Sequence, residues 1–418
     1  CPFLTQLPES QGSRHDDNVP HGASVARAYL HRRVPMMYND GVQPPACLFI
    51  PPVEPCLDPE TKSFSPGPQP SLLVFIEQVT RRKTMKVPTA LSLAALLCAG
   101  SATAQNLSYG ADNFYRSDSV TLRPITFKNQ FQMTVAGNLF VPRSQNLTGS
   151  GDVPAIIVGH PMGAVKEQSA NLYATKLAEQ GFVTLSLDLQ FWGGSSGEPR
   201  NGVSPDLFAE VFSAAVDYLG TQNVVAVDRQ RIGAVGICAS GGFVISAAKI
   251  DPRIRAIATV SMYDMGAVSR NGLRHSQSLA ERQAIISNAA QQRWVELEDP
   301  SQTQYTGGTP NELTPSTDAV SRELYDFYRT SRGEVTPPGS TPELTTHPTL
   351  TSSLKFMNFY PFHDIDSIAP RPLLFISGDQ AHSREFSEDA YARAVQPKEM
   401  LWIPAAVFTT WTASTALT

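Results

Sequence analysis

Arg231-Ile-Gly-Ala-Val-Gly-Ile-Cys-Ala-Ser-Gly-Gly-Phe243 runs from an apolar strand through a turn of small residues into an apolar helix. Gly236-Ile237-Cys238-Ala239-Ser240 within it has the rhythm of a nucleophile elbow with cysteine at the apex. Such a turn holds its central residue at strained backbone angles, so residues two positions away must be small. Gly236, Ser240, Gly241 and Gly242 meet that demand. The side chain at the apex stands at a helix N-terminus, where the helix dipole favours a thiolate. The same residues also fit an ordinary Gly-rich turn around a buried, inert cysteine, and the surrounding sequence has to separate the two. Ser240 is in a passable register for the nucleophile as well, but the strand ends near Ile237, which favours Cys238.

Outward from this turn the chain alternates strand and helix from about residue 118. Val120–Lys128 and Gln130–Val141 are expected to form an antiparallel lead pair. Ala155–Gly159, Phe182–Leu187, Ile232–Ile237 and Ala256–Met262 follow as strands. Helices are expected over 165–180, over Pro205–Leu219, with apolar residues at helical spacing, and over Gly242–Ile250. Strands in turn with helices of this length predict an α/β fold, a mostly parallel central sheet flanked by helices on both faces. Residues 266–355 break the alternation with a polar helix near Gln277–Leu297, a Pro/Thr/Ser/Gly-rich stretch and a helical segment near Asp318–Thr330. This segment is expected to be a helical cap inserted over the C-terminal ends of the strands. The core resumes with strand Pro372–Ser377, a helix near Ser387–Val395 and strand Glu399–Ile403.

The first 84 residues read differently, with thirteen prolines and no sustained periodicity. Met85-Lys86 then opens a positive start, a short apolar run and Ala102-Thr-Ala104 before Gln105, the plan of a secretory signal peptide. The apolar run is too short to span a bilayer. An internal signal would not be read, so Met85 is the expected start, 85–104 the signal peptide, and 1–84 a non-globular leader produced by the gene model. The expected localisation is then extracellular. Four of the five cysteines, Cys1, Cys47, Cys56 and Cys98, precede the cleavage site, leaving Cys238 as the lone thiol of the mature chain and no intrachain disulfide. Asn106-Leu-Ser and Asn146-Leu-Thr are glycosylation sequons.

The net charge of −5, with 17% charged residues and no basic stripe, gives no reason to expect nucleic acid or a membrane as partner. Histidines 160, 275, 347, 363 and 382 are scattered without ligand spacing, so no metal is expected. No Gly-rich turn carries the lysine of a phosphate-binding loop, and no cofactor is expected.

Gly159-His160-Pro161-Met162-Gly163 with Lys166-Glu167-Gln168, Asp188 through Gly197-Glu198-Pro199-Arg200, and Gly236–Gly242 together resemble the α/β-hydrolase superfamily. The likeness is to its dienelactone-hydrolase-like branch, whose relatives include fungal polyketide transferases. Pro372–Ser383 and Lys398–Pro404 match more loosely, and the resemblance covers residues 110–404. It implies an α/β-hydrolase fold with oxyanion-hole amides at Met162 and Ala239. By position His160 shapes the turn beside them, and Asp188 is structural. The acid is implied in the loop after Pro372–Ser377, where Asp379 is the nearest carboxylate; Asp264, after the preceding strand, is the rival. The base is implied after the last strand, yet 405–418 carries no histidine and reads as a frameshift, a retained intron or a truncation. His382 and His363 lie near the acid region, outside the family's position for the base.

The resemblance therefore implies a hydrolase or acyltransferase acting on a small ester, lactone or thioester through Cys238. The contrasting expectation is a folded hydrolase-like protein that lacks its general base and is inactive. A peptidase of the same superfamily is a weaker alternative, since no partner domain accompanies it.

Overall fold

The computed structural model describes residues 114–143, 153–222 and 225–404. Residues 1–84, the expected signal peptide 85–104 and the tail 405–418 lie outside the described residues. Strands β1 (Val120–Lys128) and β2 (Thr134–Pro142) pair antiparallel, from Val120 opposite Pro142 to Lys128 opposite Thr134. The second strand begins later than its apolar pattern suggests because Asn129 builds the intervening turn. Its Oδ1 accepts the N–H groups of Phe131 and Met133 at 3.0 and 2.9 Å, an Asx-type closure that alternation does not reveal.

Strands β3 (Val153–Gly159), β4 (Val183–Leu187), β5 (Val227–Ile237), β6 (Ile254–Val260), β7 (Leu373–Gly378) and β8 (Lys398–Ile403) complete an eight-stranded sheet. Its order is β1-β2-β4-β3-β5-β6-β7-β8, with β2 antiparallel to β4 and β3 to β8 parallel. Alternate residues of the central strands serve two separate cores: Ile157 and Ala234 belong to one, Val158 and Ile237 to the other. A strand buried on both faces reads as a continuous apolar run, which is how β3 and β5 read in the sequence.

Helix α1 (Ser169–Glu179) covers the Val158 face through Ala170, Tyr173, Ala174 and Ala178. It starts at Ser169, four residues after the expected start, because Val165 N–H donates to Gln168 Oε1 and Lys166 N–H to Asp188 Oδ1. Helices α2 (Pro205–Thr221) and α3 (Ser240–Ile250) cover the other face. The buried stripe of α2 (Phe208, Val211, Phe212, Ala215, Leu219) repeats at helical spacing, and each large side chain contributes about 1.5–3 kcal/mol by leaving water. Phe208 meets Phe243 of α3 with ring centroids 5.0 Å apart.

Between β6 and β7 run α4 (Met265–Asn271), α5 (Leu279–Glu298), α6 (Ala319–Tyr328) and the one-turn α7 (Leu350–Ser353). The polar helix foreseen near Gln277–Leu297 is α5. It is set by a capping box in which Ser278 and Glu281 satisfy each other's N–H groups, and only Ala289 and Gln292 are buried along it. The rest of the excursion is tied down by backbone carbonyls. Arg329 donates to the carbonyls of Thr309, Pro342 and Thr345, and Asn201 donates to those of Leu344 and His347. These polar clamps hold in place a segment with little apolar periodicity of its own. Helix α8 (Arg384–Arg393) packs Phe386 and Ala390 into the main core before β8. Among the described residues no helix is long and apolar enough to cross a membrane.

Candidate active site

The chain leaves β3 toward β4 on one side of the sheet and leaves β5 toward β6 on the other. Where connections diverge in this way, a crevice opens outside the carboxyl ends of the strands. The segment after β3 carries Met162 into that crevice, and the turn after β5 carries Cys238 and Ala239.

Cys238 adopts φ +53°, the left-handed region that a non-glycine residue occupies at a cost of about 1–3 kcal/mol. Three backbone hydrogen bonds hold it there. Its N–H donates to Val260 O at 2.9 Å, and its carbonyl accepts from Gly241 N–H at 2.9 Å and Tyr263 N–H at 3.0 Å. The glycines around it are required by space. A Cβ on Gly236 would lie 2.2 Å from Ser240 O, and one on Gly241 would lie 2.3 Å from Met262 Cβ. Ser240 is already the first residue of α3, fully buried, and its Oγ donates to His160 O at 2.5 Å. Geometry separates the two candidate nucleophiles: Cys238 is half-buried on a cavity wall and the Ser240 hydroxyl is committed to the backbone.

The N–H groups of Met162 and Ala239 are both directed at Cys238 Sγ. Burial pushes the thiol up to about 12, and the two N–H groups oppose that rise without cancelling it. The helix N-terminus was expected to favour a thiolate; here desolvation outweighs it, and the resting sulfur is protonated at neutral pH.

Cys238 lies on the wall of a cavity of about 520 Å³. Pro161 and Met162 line it beside the thiol, Ser261, Tyr263, Met265 and Val268 line it after β6, and Ala381, His382 and Ser383 after β7. Ile285 of α5 and Leu324 and Tyr328 of α6 close it from the excursion, together with 306–309, Thr346, Pro348, Ser353, Leu354, Phe356 and Met357. Tyr263 and Tyr328 carried no sequence signal that singled them out. Burial raises both phenols and the nearby Cys238 adds to the rise, so both hydroxyls stay protonated.

His382 is the one histidine on this cavity wall among the described residues. Its ring meets that of Tyr263 at 5.6 Å between centroids, and burial pulls it down to about 4, so it is neutral at pH 7. His363 does not line the cavity; its ring lies 5.2 Å from that of Tyr360 and its carbonyl accepts from Lys249. Asp379 follows β7 but stays off the cavity wall, with Oδ1 buried and without a hydrogen bond. Asp264 also stays off the wall: it caps α4, accepting from Ala267 N–H at 2.8 Å, and burial raises its carboxyl.

The other two sequence-marked residues are structural. His160 is fully buried, its Nε2 accepts from Leu189 N–H at 3.1 Å, and Nδ1–H donates to Pro161 O at 2.7 Å. Both ring nitrogens are thereby used, burial keeps the ring neutral, and the residue fixes the segment that presents Met162. Asp188, also fully buried, accepts from Lys166 Nζ at 2.7 Å, Lys166 N–H at 2.8 Å and Gly194 N–H at 2.8 Å. No group of three His, Cys, Asp or Glu side chains converges to hold a metal ion among the described residues.

Residues 139–292 match the dienelactone hydrolase family. An uncharacterized protein of Pseudomonas aeruginosa is 41% identical over 70% of this chain and 76% of its own length. Its crystal structure superposes with a TM-score of 0.65 at 37% identity, covering 77% of this chain and 94% of that one. The Escherichia coli protein YcjY is 34% identical over 65% of this chain and 85% of its own. The thiohydrolase aneE of Aspergillus aculeatus is 25% identical over 62% of this chain and 79% of its own.

Proposed function

Because this chain belongs to the dienelactone-hydrolase-like branch of the α/β hydrolases, a family of hydrolase and acyltransferase type, we propose that it cleaves a small ester, lactone or thioester through Cys238. The observation that carries this reading is the sulfur itself, held on a strained turn at a cavity wall with two backbone N–H groups aimed at it. A carbonyl carbon bonded to Sγ brings its oxygen within reach of the same two donors, Met162 and Ala239. They are fixed by β3 and α3, need no reorganisation, and stabilise the oxyanion as it forms.

In the first half-reaction Sγ forms a bond to the carbonyl carbon, the bond to the leaving oxygen or sulfur breaks, and the thiol proton ends on the leaving group. In the second, water or another acceptor takes the acyl group and the proton returns to sulfur. A thiol near 12 and an imidazole near 4 do not exchange a proton at rest: eight units place the ion pair uphill by on the order of 10 kcal/mol. Both groups therefore wait neutral, and proton transfer accompanies attack. His382 is the neutral base that shares the wall with the thiol, and Asp379, three residues earlier on the same loop, remains the acid that the family resemblance implies. The residues between β6 and β7 act as the cap that shapes the acyl site.

Hydrolysis of p-nitrophenyl butanoate by the full chain, with intact-mass detection of the acyl-enzyme, tests this. A butanoyl adduct on Cys238 is expected in the wild type, none in Cys238→Ala, and a slower approach to it in His382→Ala. Unchanged hydrolysis in Cys238→Ala refutes the nucleophile.

A further inference from the structure

We propose that the cavity over Cys238 is selective for acyl groups that are apolar and uncharged, and discriminates against acyl groups that carry a carboxylate. This rests on the assignment of Cys238 as nucleophile and adds the class of substrate it acts on.

Among the described residues no Lys, Arg, Asp or Glu lines the cavity. Its walls are side chains such as Met162, Val268, Ile285, Leu324, Phe356 and Met357, and its remaining polar groups are chiefly hydroxyls, backbone and the Gln277 amide. The titratable groups on the wall, the Cys238 thiol, the Tyr263 and Tyr328 phenols and the His382 imidazole, are all neutral at pH 7. The charges felt from just outside are Asp318 and Arg274 at His382, of opposite sign, and Glu385 at Tyr263, and none of the three reaches the wall.

The contrast with the neighbouring cavity sharpens the point. That space, of about 810 Å³, shares Tyr328 and Thr346 with the first but is lined by Glu198, Arg200 and Glu296. Charge is placed beyond Tyr328 and Thr346 and kept away from the thiol. A carboxylate entering beside Cys238 would exchange its hydration for methionines and aliphatic carbons, with no cation to meet it. A neutral chain loses nothing polar on entry and buries apolar surface.

Alkylation at pH 9, followed by mass spectrometry of the peptide that carries Cys238 so that Cys1, Cys47, Cys56 and Cys98 are read apart from it, reports this selectivity without depending on turnover. Iodoacetamide and iodoacetate differ only in charge, and a neutral model thiol, N-acetylcysteinamide, supplies their intrinsic reactivity ratio. Relative to that ratio, Cys238 is expected to prefer iodoacetamide by at least about 100-fold, the consequence of stranding a carboxylate in an apolar site. An N-hexyl iodoacetamide is expected to gain at least about tenfold over iodoacetamide, as its chain becomes buried. A ratio within threefold of the model thiol, or no gain from the hexyl chain, overturns the proposal. A folded Cys238 inert to all three reagents overturns it equally, since the cavity then admits none of them. Failure of the underlying reading looks different: ester hydrolysis survives Cys238→Ala while the alkylation preference at Cys238 persists in the wild type.

Discussion

Raising the pH will release Cys238 in a way that measures how strongly burial opposes its charge. The thiol stands at about 12 instead of its ordinary 9.0, a shift of about three units. At pH 8 its thiolate fraction is about one in ten thousand, against about one in ten for an unperturbed thiol, so alkylation by iodoacetamide should run about 1000-fold slower than on an exposed cysteine. The rate should climb about tenfold per pH unit through pH 9 and 10 without levelling. The same shift makes a stability statement. The folded pKa lies above the unfolded one, so the contribution is complete below pH 9 and is lost as pH rises toward 12. In that window the unfolded chain releases a proton the folded chain keeps, and stability falls by about 1.4 kcal/mol per unit. Between pH 7.5 and 10.5 urea unfolding of the wild type should therefore lose about 2 kcal/mol more than Cys238→Ala, the other titrating groups being common to both. A plateau in the alkylation rate near pH 9, or wild type and Cys238→Ala losing stability in parallel, would refute the assignment of a desolvated, protonated resting thiol.

Three other changes test the parts that hold this residue in place. In Gly236→Ala the new methyl would meet Ser240 O at 2.2 Å, and melting should reveal a loss of about 3 kcal/mol; a change under 1 kcal/mol would show that the turn has room the geometry denies it. Lys166→Met removes the cation from a fully buried Asp188, which keeps only two backbone N–H partners, and should cost about 3 kcal/mol in urea unfolding at pH 7; a neutral outcome would mean that Asp188 reaches water. His382 sits at about 4 against an ordinary 6.5, so the unfolded chain takes up the proton first as pH falls, and about 3 kcal/mol should be lost between pH 6.5 and 4. That acid loss should be missing from His382→Asn, and its persistence there would assign the sensitivity to another group.

The sequence carried the fold well because a strand covered on both faces cannot be written in polar residues. β3, β4 and β5 are short apolar runs, and the helices between them show their buried stripes at helical spacing. Boundaries moved where a side chain overrode the pattern: Asn129 delays β2, and the contacts of Gln168 and Asp188 delay α1. The site was legible in part. Small residues around Cys238 marked the strained turn, and the resemblance to the α/β hydrolases implied Met162 and Ala239 as its oxyanion-hole amides. The excursion between β6 and β7 was less legible, since α5 is almost wholly exposed and the rest is held by Arg329 and Asn201 through carbonyls, which leave no periodicity.

By itself, then, the sequence determined the order of strands and helices and the residue at the apex of the turn after β5. Both are local matters, set by side-chain size and by the repeat of apolar positions. Tertiary structure alone decided the charge state of that residue and the character of what surrounds it. Whether a thiol is near 9 or near 12 depends on how much protein stands between it and water, and that protein comes from segments more than a hundred residues apart. The neutral cavity is likewise a property of no single segment: charged residues abound between β6 and β7, yet among the described residues none of them lines the wall beside Cys238.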